Sequence, residues 1–166
     1  MNWDAISALG TIIGSIAVLV TLIYLAVQIR QNTEAINAQS RQSILAAAQA
    51  EIFLRIQFPE LEIAITQDDV PTQVEQVKIN AWLAGVFRSR EFSWLQYNQG
   101  LIDESQWSTE VNVISIVLSA PRARDWWEIA GRKSFGQKFV HFVDEVIRDQ
   151  PASLEFARSL GSWAKR

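Results

Sequence analysis

Few side chains in this chain have the types and spacing that chemistry needs, and they do not converge. His141 is the single histidine, and it stands beside Lys138 and Glu145 at helical spacing. A hydrolase triad needs a base next to its nucleophile; His141, on that polar face, reads as an exposed surface residue. Cysteine is absent, which removes disulfides and thiolate metal sites and fits a reducing compartment. Di-iron bundles use Glu-x-x-His pairs, and none occurs. Zinc and haem ligand clusters are missing as well. Asp68-Asp69 lacks the spacing of a calcium loop, and there is no glycine-rich phosphate loop. Arg88-x-x-Glu91 can pair at i,i+3; it is either a polar site or, more simply, a satisfied buried or half-buried ion pair. The expectation is therefore a non-enzymatic protein with no catalytic, cofactor-binding or metal-binding residues.

Two other sets of residues suit binding rather than reaction. Arg122, Arg124, Trp126, Trp127, Arg132 and Lys133 would make a basic, aromatic patch for an anionic membrane surface or a partner. The plainer reading puts the Trp pair in the core and the charges on a solvated rim, because a short helix needs apolar anchoring. Ser7, Gly10, Gly14, Ala17, Thr21 and Gln28 recur at spacings of three, four and seven, so they share one stripe of a helix. Gly10 to Gly14 is a GxxxG, which lets two helix backbones approach closely. Ile12, Ile16, Leu19 and Ile23 lie opposite and suit lipid.

The element that carries the stripe is the stretch Ala5 to Val27, which has no charged residue. At about 23 residues it spans roughly 35 Å, enough to cross a bilayer core of about 30 Å. A secretory signal would begin with a basic region and end in a small-residue cleavage site. Met-Asn-Trp-Asp offers no basic residue, and the apolar run is too long. Trp3 and Tyr24 flank it as interfacial aromatics, and Arg30 and Arg41 lie only on its C-terminal side. The positive-inside bias then puts the N-terminus outside and the rest in the cytoplasm.

The chain has 166 residues and a net charge of −3. Near-neutral charge argues against nucleic-acid binding. About 138 residues follow the anchor, enough for one domain with its own core, and seven Trp and eight Phe make that core or an interface aromatic-rich. The expected fold class is all-α. Residues 1–30 form the membrane helix, 31–58 a juxtamembrane helix, 59–150 a cytoplasmic helical domain, and 151–166 a tail with a short helix.

Leu45, Ala48, Ile52 and Ile56 give the juxtamembrane helix one apolar face. It runs on from the membrane helix and ends before Pro59, or breaks near Asn32-Thr33. Its amides, among them Gln31, Asn37, Gln42 and Gln49, give a wet surface or bonds between copies. Thr72-x-x-Glu75 is a capping box that opens a helix closed by Gly100, with Leu101 packing back. Its apolar middle, Ala81 to Phe87, places that helix at the centre of a bundle. Asp103-x-x-Gln106 opens the next, with Ile102 and Trp107 as a hydrophobic staple. Pro121 ends that helix or starts a short one over Arg122 to Ala130, closed by Gly131. Ser134-x-x-Gln137 caps the last long helix, whose inner face is Phe135, Phe139, Phe142, Val143 and Val146. Pro151 stops it, and Ser153 to Leu160 form a last turn or two before the basic Lys165-Arg166.

The run Ile23-Tyr-Leu-Ala-Val-Gln-Ile-Arg-Gln-Asn-Thr33 resembles the signature of a group of small single-pass bacterial membrane proteins. Arg88-x-x-Glu91, Tyr97-x-x-Gly100, Trp107 and Trp126-Trp127 fit the same group, so the resemblance covers most of the chain. It implies a bacterial inner-membrane protein with a helical cytoplasmic domain. It supplies no activity and no catalytic residue.

These readings point to a homo-oligomer in the lipid, assembled through the small-residue stripe. An adaptor or accessory subunit of another membrane complex is the alternative. A parallel ring of about five or more copies would stack Ser7, Gly14, Thr21 and Gln28 around a channel-like pore. Closed packing needs fewer assumptions.

Overall fold

The computed structural model describes residues 2–67 and 69–149. Among them are α1 (Trp3–Gln57), α2 (Pro59–Thr66), α3 (Gln73–Asn98), α4 (Glu104–Leu118), α5 (Pro121–Ile129) and α6 (Gln137–Asp149). A 3₁₀ turn, Gly131–Lys133, joins the last two, and no strand occurs among the described residues. The protein is all-α, with a long apolar N-terminal helix followed by a helical domain. Asp68, Pro151, the turns expected over Ser153 to Leu160, and Lys165-Arg166 lie outside the described residues. The chain divides into two compact units, residues 1–39 and 40–166.

In the first unit every side chain described from residue 6 to residue 27 is exposed. The stretch is long and apolar enough to cross a membrane, and none of its apolar window is buried inside the chain. The helix continues through Asn32 and Thr33. The amides of those two residues therefore join the helical ladder instead of starting a second helix.

The second unit is built around α3. Its N-terminus is held by the full capping box: Thr72 accepts from the Glu75 amide, and Glu75 accepts from the Thr72 amide at 2.7 Å. The Thr72 bonds also hold the exposed Glu75 carboxyl below its ordinary pKa. At the other end Gly100 stands at φ +70°, the Gly100 amide donates to Tyr97 O and the Leu101 amide to Gln96 O. That bond pair is the Schellman closure, and it needs a left-handed residue that glycine supplies without a Cβ clash. Trp82, Leu83, Val86 and Phe87 of α3 meet Ile114 and Leu118 of α4, Trp127 of α5, and Phe139 and Val143 of α6 in one core. Ile44 joins the staple pair Ile102 and Trp107 in a smaller cluster.

Several local readings change in the folded chain. Pro59 does not merely end α1; it sits at the start of α2, where its missing N–H costs nothing, and Leu61, Ala64 and Ile65 are buried. Ser134 does not cap α6. It belongs to the preceding turn and its hydroxyl donates to Ala130 O, while Glu91 takes the Gly136 amide at 2.8 Å. Gly131 closes α5 through space, not through left-handed geometry, since a Cβ there would stand 2.5 Å from the Trp127 ring. On the Leu45–Ala48–Ile52–Ile56 face of α1, Ala48 is half-buried and the three large residues are 59%, 57% and 69% exposed, while the neighbouring Ile44 is 8% exposed.

Gly100→Ala should lower the stability of the helical domain by about 1 kcal/mol, the cost of a Cβ in left-handed geometry. Thermal unfolding of the full chain in mild detergent, followed by circular dichroism, checks it. An unchanged midpoint would show that the turn relaxes without cost.

Candidate functional site

The polar site of the domain is one that residue spacing did not bring forward. Core positions recur along α3 as Leu83, Val86, Phe87, Arg90 and Ser93, so Arg90 points inward with the apolar residues. It is 4% exposed. Its Nη2 donates to Glu51 Oε2 of α1 at 2.6 Å. Its Nη1 donates to Ser89 Oγ at 3.1 Å and lies 3.0 Å from Glu110 Oε2 of α4. That last contact is close enough for charge attraction but out of line for a hydrogen bond. Glu51 Oε1 and Arg90 Nε also have no hydrogen bond among the described residues.

One buried guanidinium therefore faces two carboxylates from two different helices. Burial pushes the Glu110 carboxyl above its ordinary pKa; Arg90 pulls it down, Glu51 pushes it up, and a hydrogen bond to Ser93 pulls it down. The net direction is upward because desolvation of a nearly enclosed acid outweighs half a share in one cation. Such a cluster can hold a proton. No group of three His, Cys, Asp or Glu side chains among the described residues is placed to hold a metal ion.

Arg88 and Glu91, the pair legible in the sequence, are ion-paired in the structure. They also clamp the turn before α6: Arg88 donates to Ser134 O at 2.8 Å and lies over the Phe135 ring, while Glu91 accepts from the Gly136 amide. Tyr97 bonds Glu104 and stacks on Trp107 at 5.4 Å. His141 is exposed and pairs with Glu145 at 3.4 Å.

The Arg–Trp set is divided between roles inside the fold. Arg122 donates to the carbonyls of Ala64, Gln67 and Asp69, closing the end of α2 and the loop after it. Arg124 donates to Leu118 O at 2.6 Å and Ile147 O at 3.3 Å, tying the ends of α4 and α6 together. Trp127 is fully buried and its indole donates to Asp144; Trp126 is half-buried and donates to Asn80. Arg132 pairs with Glu128 at 2.6 Å and Asp144 at 3.1 Å. Lys133 is exposed. The aromatics are thus core or half-core, and two of the arginines are helix-end caps rather than rim charges.

In the first unit Ser7, Gly10, Gly14, Ala17 and Thr21 are exposed and Gln28 is half-buried. A Cβ placed on Gly10 or Gly14 would meet nothing within 4 Å. Thr21 donates to Ala17 O at 2.8 Å and Thr11 to Ser7 O at 3.0 Å, while the Gln28 amide reaches the Tyr24 hydroxyl at 3.2 Å.

The domain also leaves an open apolar groove between α1 and α3. Ala47, Ala50, Leu54, Ala81 and Gly85 line one stretch of about 390 Å³. Ala47, Gly85, Phe92 and Leu95 line its continuation, about 470 Å³. Glu51 borders the first stretch, so the charge cluster sits at the groove's inner wall.

A raised folded pKa for Glu110 means the native state holds its proton at a pH where the unfolded chain has lost it. The contribution to stability is then complete below the ordinary carboxylate pKa of about 4.3 and is lost as pH rises through the folded value. Glu110→Gln, neutral throughout, should gain on the wild type as pH is raised from 4 to 7. Thermal midpoints of both full chains across that range are the measurement; a mutant that loses ground as pH rises would show that Arg90 dominates instead.

No protein-family model matches the chain, and neither a curated protein nor a solved structure matches it.

Proposed function

We propose that this chain is a non-enzymatic, single-pass protein of the bacterial inner membrane that self-associates through α1 and carries its helical domain in the cytoplasm. The observation that carries the reading is the stretch of the first unit from residue 6 to residue 27: an uncharged, uncovered helix whose Gly10 and Gly14 touch nothing in their own chain. Exposed glycine inside a helix costs about 1 kcal/mol against alanine in water, and lipid tails gain nothing from it. A second helix backbone does, because only a missing side chain lets it come close. The i−4 bonds of Thr21 in the stripe, and of Thr11 and Ser15 on the same helix, keep those hydroxyl protons satisfied in hydrocarbon. Their oxygens keep lone pairs that face a neighbouring copy or, in a wider ring, a lumen.

The bacterial setting follows from the likeness around Ile23 to Thr33, and the orientation from Arg30 and Arg41 on one flank only. Exposed Phe92, Leu95 and Ile129 in the domain favour the second reading, an adaptor gripping another membrane complex.

Native mass spectrometry of the detergent-purified chain should give one oligomer of fixed number at micromolar concentration. Thr21→Leu separates the two forms of assembly. A packed seam loses oligomer stability on substitution, whereas a pore keeps its assembly and loses unitary current in planar bilayers. A clean monomer sinks self-association and leaves the adaptor.

A C-terminal alkaline phosphatase fusion, active only in the periplasm, should stay silent in a bacterial host. Full activity would reverse the orientation.

A further inference from the structure

Gly85 lies in the middle of α3, is exposed, and has nothing within 4 Å of where its Cβ would stand. Its own fold therefore does not need a glycine there, and the helix is weaker for having one. What the missing side chain does is leave room in the α1–α3 groove, whose floor is shared by Ala47 and Ala50 of one helix and Ala81 and Gly85 of the other. A groove lined by small residues from two helices has room to receive a third.

The complementary shape is on the same chain. Leu45, Ile52 and Ile56 are large, apolar and more than half exposed. At 3.6 residues per turn they fall within about 40° of one another, and Ala47, Ala50 and Leu54 lie about 180° round the same helix. Ridge and floor occupy the same level of α1, on opposite sides. A patch paired with itself across a two-fold axis would bury ridge against ridge and leave the groove open. A head-to-tail contact covers both at once, and repeated by a rotation it closes a ring. With α1 parallel to the ring axis, rotation shifts nothing along that axis, and ridge and floor meet at the height they already share.

We infer that the helical domain carries a second interface for a further copy of this chain: the Leu45–Ile52–Ile56 ridge of one copy seats in the Ala47–Ala50–Ala81–Gly85 groove of the next. The inference rests on the self-association proposed for the membrane helix, which brings the copies side by side. It adds that assembly continues outside the membrane and that the contact is head to tail, with every copy giving a ridge and receiving one.

The chain has no cysteine, so introduced pairs report without background. In membranes containing the full chain, Ile52→Cys combined with Gly85→Cys should give an oxidative ladder of dimers, trimers and higher species. Each single variant should give none, and a mixture of the two singles should stop at dimers. Ile56→Cys with Ala81→Cys serves as a second pair, and circular dichroism confirms that each variant is folded. Gly85→Leu, whose Cβ has open space and whose side chain fills the floor, should suppress the Ile56–Ala81 ladder at least tenfold.

Efficient dimers from Ile52→Cys alone would mean ridge against ridge and overturn the inference. A ladder that appears only after residues 150–166 are deleted would also overturn it, because the chain's own end would then fill the groove. No ladder from an oligomer that native mass spectrometry finds intact overturns the second interface and leaves the membrane seam standing. A monomer in that measurement removes both.

Discussion

The relative placement of three helices in the domain is tied to one buried cation. Arg90 takes Glu51 from α1 and Glu110 from α4 onto a guanidinium that is 4% exposed. Removing charge from water costs several kcal/mol per ion, and mutual attraction repays it only with good geometry and full hydrogen bonding. Here the geometry is good toward Glu51 and poor toward Glu110, and three polar atoms of the cluster carry no bond among the described residues. The cluster is weak evidence for stability. Its physical effect is to make any arrangement that separates the three residues expensive, since a lone buried carboxylate or guanidinium costs about 3–5 kcal/mol.

Away from that cluster, cohesion comes from aromatic packing closed off by polar ends. Phe87, Trp127, Phe135 and Phe139 follow one another with ring centroids 5.0 to 5.9 Å apart, in the range where aromatic pairs add to simple burial. Two indoles of this core donate their N–H to side chains, Trp126 to Asn80 and Trp127 to Asp144. The helix ends that surround it are closed by long side chains from elsewhere. Arg122 and Arg124 collect five carbonyls between them, those of Ala64, Gln67, Asp69, Leu118 and Ile147. Guanidinium suits this work, because its forked donors can serve several acceptors at once.

What could be read in the sequence was local. The Thr72–Glu75 box, the Asp103 cap and the Gly100 closure each depend on four to six consecutive residues, and the structure contains all three. What could not be read was decided by residues far apart. Ser134 has the type and spacing of a cap, but Glu91, 45 residues earlier, takes the Gly136 amide instead. Arg122 and Arg124 looked like surface charge because the carbonyls they cap lie 53 to 58 residues before Arg122 and as many as 23 after Arg124. The Arg90 cluster did leave a trace. Arg90 falls in step with Leu83, Val86, Phe87 and Ser93, and Glu110 falls in step with Trp107, Ile114 and Val117. A charge on an apolar stripe is the signal, and it stands beside the more regular Arg88–Glu91 spacing. Helix α2 leaves no periodic pattern in the sequence, because its eight residues hold too few turns for one.

The register of α1 on the domain shows why a costly charge cluster is retained where apolar packing is thin. Across the groove α1 and α3 face each other with Ala47, Ala50, Ala81 and Gly85. Small side chains make a smooth surface, and a helix can slide on it with little change in energy, because no knob has to leave a hole. Sliding by one turn would move Glu51 about 5.4 Å from Arg90, which breaks a 2.6 Å ion pair inside the domain. Ile44, lodged with Ile102 and Trp107, fixes the same register two turns earlier. Charge and one apolar knob therefore hold α1 in place along its length. The small residues between them are left free of that duty, which is what allows the groove to stay open.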